Sequence, residues 1–159
     1  MPKPRLSLVT RGAAIAAALF ALAGCVAPPS GSAPVNPAAA PPIPPGQARL
    51  WFYRDYQPSV SFNYANINVN GTRAASVPAF GPGVYHDVPP GEYRIMPDDF
   101  VSAPNQGTNV TVGPGDLVYL QIEDNPIVWG DMSVFQKDVF TVRPVPPAQA
   151  LAQIAVSPR

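Results

Sequence analysis

The side chains of this 159-residue chain that could do chemistry are few: Cys25, His86 with Asp87 beside it, and the acidic groups Asp98-Asp99 and Glu123-Asp124-Asn125. A hydrolase built from them would use His86 as general base with one of the acidic turns, which requires a carboxylate or hydroxyl within hydrogen-bond reach. His86 and Asp87 cannot orient each other, because neighbours on a strand point to opposite faces. No nucleophile elbow of the Gly-x-Ser-x-Gly type is present. Neither acidic group has the spacing of a calcium loop, and both fall where strands should end, so they read as solvated turn carboxylates. One cysteine and one histidine do not make a zinc site. The expectation is a chain with no catalytic set, no metal and no cofactor.

Cys25 is explained by what precedes it. Lys3, Arg5 and Arg11 give the start a positive charge, and Gly12 to Gly24 is an uncharged run of 13 residues. As helix it would measure ~20 Å, short of a ~30 Å hydrocarbon core. A positive start, a short apolar centre and a small-residue end are the parts of a secretory signal peptide. The end, Leu22-Ala23-Gly24-Cys25, resembles the lipobox of bacterial lipoproteins. The resemblance implies cleavage between Gly24 and Cys25, diacylglyceryl transfer to the Cys25 thiol, and a membrane anchor of two or three acyl chains, enough for stable attachment. Residue 26 is valine where aspartate would retain such proteins at the inner membrane, so the resemblance also implies the outer membrane, facing the periplasm.

Removing residues 1–24 leaves seven basic against ten acidic side chains, a charge of about −3. That balance lacks the basic stripe a nucleic-acid partner requires. Residues 26–46 carry 8 prolines in 21 positions and no charge, which predicts a disordered, polyproline-biased tether after the lipidated cysteine. At 23 prolines overall, long helices are not expected.

From Gln47 to Arg159 the texture is that of one small domain of short strands. Arg49 to Arg54 is apolar on both faces, Leu50 and Phe52 on one and Trp51 and Tyr53 on the other. Trp51, Phe52 and Tyr53 belong to an aromatic group with Tyr56, Phe62 and Tyr64; either a second sheet or the loop after Arg54 covers Trp51 and Tyr53, or they form an exposed aromatic surface for a glycan or a partner protein. Ala65 to Val69 alternates, Ile67 and Val69 inward, and Asn70-Gly71 is a hairpin signal leading into Thr72 to Val77. Pro89-Pro90-Gly91 and Gly113-Pro114-Gly115 read as two further hairpin turns, between Val84 to Val88 and Glu92 to Met96, and between Asn109 to Val112 and Leu117 to Glu123. Val139 to Val145 ends the set, and Ala148 to Ala155 predicts a short terminal helix with Leu151 and Ile154 on one face. Seven or eight such strands predict an all-β fold, a small antiparallel sandwich.

The order INVNGTRAASV, VPPGEYRI, VYLQIE is similar to that of small bacterial lipoproteins of unknown function and to the PEGA module. Over Arg49 to Glu123 the resemblance implies a β-sandwich without enzyme activity and carries over no catalytic residue. The functional expectation is a non-enzymatic, lipid-anchored envelope protein that binds a partner protein or peptidoglycan. A hydrolase using His86 is the alternative.

Overall fold

The computed structural model describes residues 33–55, 63–98, 105–125, 127–128, 136–137 and 139–158. The leader, Cys25 and the first part of the tether lie outside them, as do Tyr56, Phe62 and Asp99. Ten strands and one helix follow in order: β1 (Ala48–Arg54), β2 (Ala65–Val69), β3 (Thr72–Val77), β4 (Val84–Val88), β5 (Gly91–Pro97), β6 (Thr108–Val112), β7 (Leu117–Asp124), β8 (Ile127–Val128), β9 (Gln136–Lys137), β10 (Phe140–Val145) and α1 (Pro147–Val156). Two four-stranded sheets, ordered β10-β7-β1-β4 and β3-β2-β5-β6, make the sandwich, and β8-β9 is a small separate ribbon. The fold is all-β and sandwich-like, with the short C-terminal helix expected.

One pairing departs from the antiparallel expectation: β1 runs parallel to β7, from Arg49 opposite Leu117 to Arg54 opposite Ile122. The reason is visible in β1 itself. A strand apolar on both faces suits the middle of a sheet covered on both sides, the setting in which parallel pairs occur. Leu50 and Phe52 enter the core between the sheets with Ile67, Val77, Ile95, Leu120 and Phe140. Trp51 and Tyr53 enter a second apolar cluster on the far side, with Tyr119, Val145, Ala150 and Ile154.

The Asn70-Gly71 hairpin is as expected, with φ of 50° and 81°, the left-handed pair such a turn needs. The other two turns are corrected. β4 and β6 each lie in a different sheet from the strand that follows, so Pro89-Pro90-Gly91 and Gly113-Pro114-Gly115 carry the chain from one sheet to the other. Gly91 is not among the glycines with left-handed backbone, whereas Gly115 is, at φ 84°. Two short strands around a Pro/Gly turn specify a reversal but not whether the partners share a sheet. What fixes the second corner is β1: Arg49 N donates to Asp116 O at 2.8 Å and Gly115 N donates to Gln47 O at 2.7 Å.

The tether is corrected over residues 33–46. Asn36 caps a 3-10 turn at Pro37–Ala39, its Oδ1 accepting from Ala38 N at 2.9 Å. Val35 N donates to Gly83 O at 3.1 Å, and Val35 and Ala40 pack on the cluster around Trp51. Proline's fixed φ means this segment lost little freedom on docking, so a few contacts hold it. The helix face is corrected as well: Ala150 and Ile154 are its buried positions, and Leu151 is 46% exposed.

Candidate binding surface

Trp51 and Tyr53 are not a surface. They are 1% and 0% exposed, so neither can meet a partner. Trp51 stacks on Tyr85 with centroids 5.7 Å apart, and its Nε1 donates to Pro82 O at 3.0 Å. Tyr53 Oη donates to Gln153 Oε1 of α1 at 2.6 Å. Burial, followed by the charge of Asp55, pushes the Tyr53 phenol above its ordinary value, and burial does the same at Tyr119. The expected cover was a second sheet or the loop after Arg54; among the described residues α1 and residues 33–40 supply it, and residues 56–62 of that loop lie outside them.

His86 is half-buried on the core side of β4, between Val84 and Val88, and burial holds its imidazole below the ordinary value against the opposing charge of Asp87. Asp87 points to the other face, where both its oxygens accept from Arg49, Nε at 2.6 Å and Nη2 at 2.8 Å. Of the acidic turns, Asp98 is solvated and pairs with Arg73 at 2.6 Å, and Glu123 pairs with Arg143 at 2.6 Å. Asp124 is the correction: it is buried at the end of the core and meets the equally buried Arg54 at 3.4 Å. Its partner lies 70 positions earlier, so local spacing gave no sign of the pair. Among the described residues no group of three or more histidine, cysteine or acidic side chains could hold a metal ion.

Among the described residues, what remains open is the outward face of the second sheet. Strand alternation puts Asn66 and Asn68 of β2, Arg73 and Ser76 of β3, Glu92, Arg94 and Met96 of β5, and Asn109 and Thr111 of β6 on that side. Register sets Asn68 between Arg73 and Met96, and Arg94 opposite Asn109. The edge is fixed by Asn70, whose Oδ1 accepts from Arg94 N at 2.8 Å while its own N donates to Arg94 O at 2.9 Å. Asn66 Oδ1 accepts from Ser76 Oγ at 2.9 Å. Two shallow depressions, of about 700 and 480 Å³, share Arg94 and Asn109 in their linings. Among the described residues Arg94 forms no ion pair, and it is exposed.

Chemically this is a platform of amide and hydroxyl donors and acceptors around one free guanidinium, with Met96 as its only apolar member. It offers hydrogen bonds to amide and hydroxyl groups and one cation to a carboxylate, and among its described residues no nucleophile stands next to a base. Asn66 and Asn68 were placed outward by sequence. Arg94, Asn109 and Thr111 were not singled out, although each is the polar member of an alternating strand. Comparison of the chain with protein-family models, with curated proteins and with solved structures gives no match in any of the three.

Proposed function

We propose that this protein is a lipid-anchored, non-enzymatic component of a bacterial envelope that binds peptidoglycan through the outward face of β3-β2-β5-β6. The observation that carries the reading is the inequality of the two sandwich faces. Among the described residues, the outer side of the first sheet is closed by α1 and residues 33–40, while the outer side of the second is open and polar at all its outward positions except Met96. The leader ending in Leu22-Ala23-Gly24-Cys25 supports lipidation at Cys25 and residence at the outer membrane, facing the periplasm. The likeness of the turn order to PEGA modules supports a role without catalysis. A hydrolase through His86 has less support, since Asp87 faces away from it and is held by Arg49.

The binding test uses isolated sacculi. Purified mature protein should co-sediment with them, and Arg94→Ala combined with Asn109→Ala should lower the bound fraction several-fold at unchanged melting temperature. Both positions are exposed, so folding is not at stake. Equal binding by wild type and double variant would remove the platform from the argument. The anchor is tested separately: Cys25→Ser should leave the membrane fraction or accumulate uncleaved.

A further inference from the structure

Helix α1 reads PAQALAQIAV and contains no charged residue. Ala150 and Ile154 face the first sheet. The arc turned away from it runs through Leu151, Ala155, Ala148, Ala152 and Val156, with Leu151 46% and Val156 71% exposed. A helix apolar on both sides is normally covered on both sides. Beside it lies a groove of about 620 Å³, where Leu151 and Ile154 meet Phe80, Pro82, Pro34 and Pro37.

What covers this arc is indicated by the chain that leads to it. Pro34 and Pro37, at the start of the described residues, line the same groove as α1, and Ala33 stands only eight positions after Cys25. Eight residues span at most ~28 Å even when fully extended. A lipid anchor at Cys25 therefore holds the α1 side of the domain within that distance of the headgroups, and the polar platform lies on the opposite side of the sandwich. The arc itself is small. A ten-residue helix is ~15 Å long and ~10 Å across, far below the ~800 Å² per partner of a stable protein interface. A tethered surface needs much less, because the anchor turns docking into an intramolecular event.

We propose that the outward face of α1, with the rim of its groove, rests on the lipid surface to which Cys25 is anchored, so that the domain sits helix-down and platform-out. This rests on the lipid-anchor reading above. The contact is uncharged, with Asn36 and Ser157 as polar members of the groove lining: α1 offers no basic residue to anionic headgroups, so added salt should not loosen it.

The test uses the full lipidated protein, processed in bacteria and reconstituted into phosphatidylethanolamine–phosphatidylglycerol vesicles. Leu151→Cys, Val156→Cys and, on the platform, Asn109→Cys are each labelled with a small thiol-reactive fluorophore. All three positions are exposed, so none of the substitutions removes a core contact. Labels at 151 and 156 should be quenched by lipids brominated in the acyl chain and protected several-fold from aqueous iodide, at low and high salt alike. The label at 109 should show the reverse. Equal iodide access at all three positions in protein that floats with the vesicles overturns the proposal and leaves the anchor standing. Protection at 151 that appears in detergent and grows with protein concentration also overturns it, assigning the face to a second copy. Wild-type protein that takes up the fluorophore has a free Cys25 thiol, which removes the anchor and this proposal together.

Discussion

Arg49 holds the incoming chain and the sheet at once: its Nε and Nη2 donate to the two oxygens of Asp87 on β4, and its Nη1 donates to Pro41 O at 2.6 Å. The guanidinium lies 4.0 Å from the centroid of the Tyr85 ring. The Asp87 bond, above all, raises the Arg49 pKa, outweighing the opposite effect of burial. The Arg49 side chain is buried and that of Asp87 is only 10% exposed, so the pair cannot be judged like a surface bridge. Removing one partner of such a pair leaves a charge without compensation and costs ~3–5 kcal/mol. Asp87→Ala should lose about that much in urea unfolding, while Arg49→Met with Asp87→Leu should lose less than Asp87→Ala alone.

Residues 33–46 should behave as part of the domain. A fragment beginning at Gln47 loses the Val35 and Ala40 contacts to the Trp51 cluster and the acceptor at Pro41. It should melt below a fragment beginning at Ala33, with tryptophan emission shifted to the red. Identical melting would mean that this segment adds nothing to stability.

Gly83 should be irreplaceable where Gly46 is not. It has φ 94°, and an added Cβ would lie 2.3 Å from Phe52 O and 2.9 Å from Trp51 Nε1. Left-handed backbone alone costs a non-glycine residue ~1–3 kcal/mol, and here a backbone collision on β1 is added. Gly46 shares the positive φ, at 76°, but its added Cβ would meet nothing within 4 Å. Gly83→Ala should therefore destabilise clearly more than Gly46→Ala, measured side by side in denaturant.

His86 sets a pH dependence whose sign follows from burial. Its folded pKa lies below the ordinary 6.5, so the unfolded chain binds the proton more readily. The stability it contributes is present above pH 6.5 and is lost as pH falls from there toward the folded pKa. Between those two values the melting temperature of wild type should fall with acidification more steeply than that of His86→Gln. Parallel curves would mean that His86 titrates as freely folded as unfolded.

Most of the strands could be read from alternation, and β3 and β4 match their expected limits residue for residue. The two-faced apolar run of β1 was legible too, including which side chains share a face. What it could not give was the cover for Trp51 and Tyr53, because α1 begins almost a hundred residues later and the docked proline segment carries no periodicity. The sheet assignment of β4 and β6 was hidden for a related reason. Gly113-Pro114-Gly115 states that the chain turns, whereas the choice of sheet is made by the bonds of Gly115 and Asp116 to Gln47 and Arg49, more than sixty residues earlier. At the candidate site, the outward position of Asn66 and Asn68 was readable. Arg94 beside Asn109 was not, since their neighbourhood depends on the register of β5 with β6.

β1 also has a mechanical meaning. It follows the N-terminal segment directly and lies between two ladders, with β4 on one side and β7 on the other. A pull delivered through residues 33–46 reaches β1 nearly end-on and loads both ladders together in shear, instead of opening one bond after another as at a strand edge. Under the proposed lipid anchoring, tension such as a deforming envelope would apply is met by a central strand bonded along both sides. In single-molecule extension, a load applied between Ala33 and the C-terminus should produce one high-force rupture. The same load applied across the edge strand β3 should unzip it at markedly lower force.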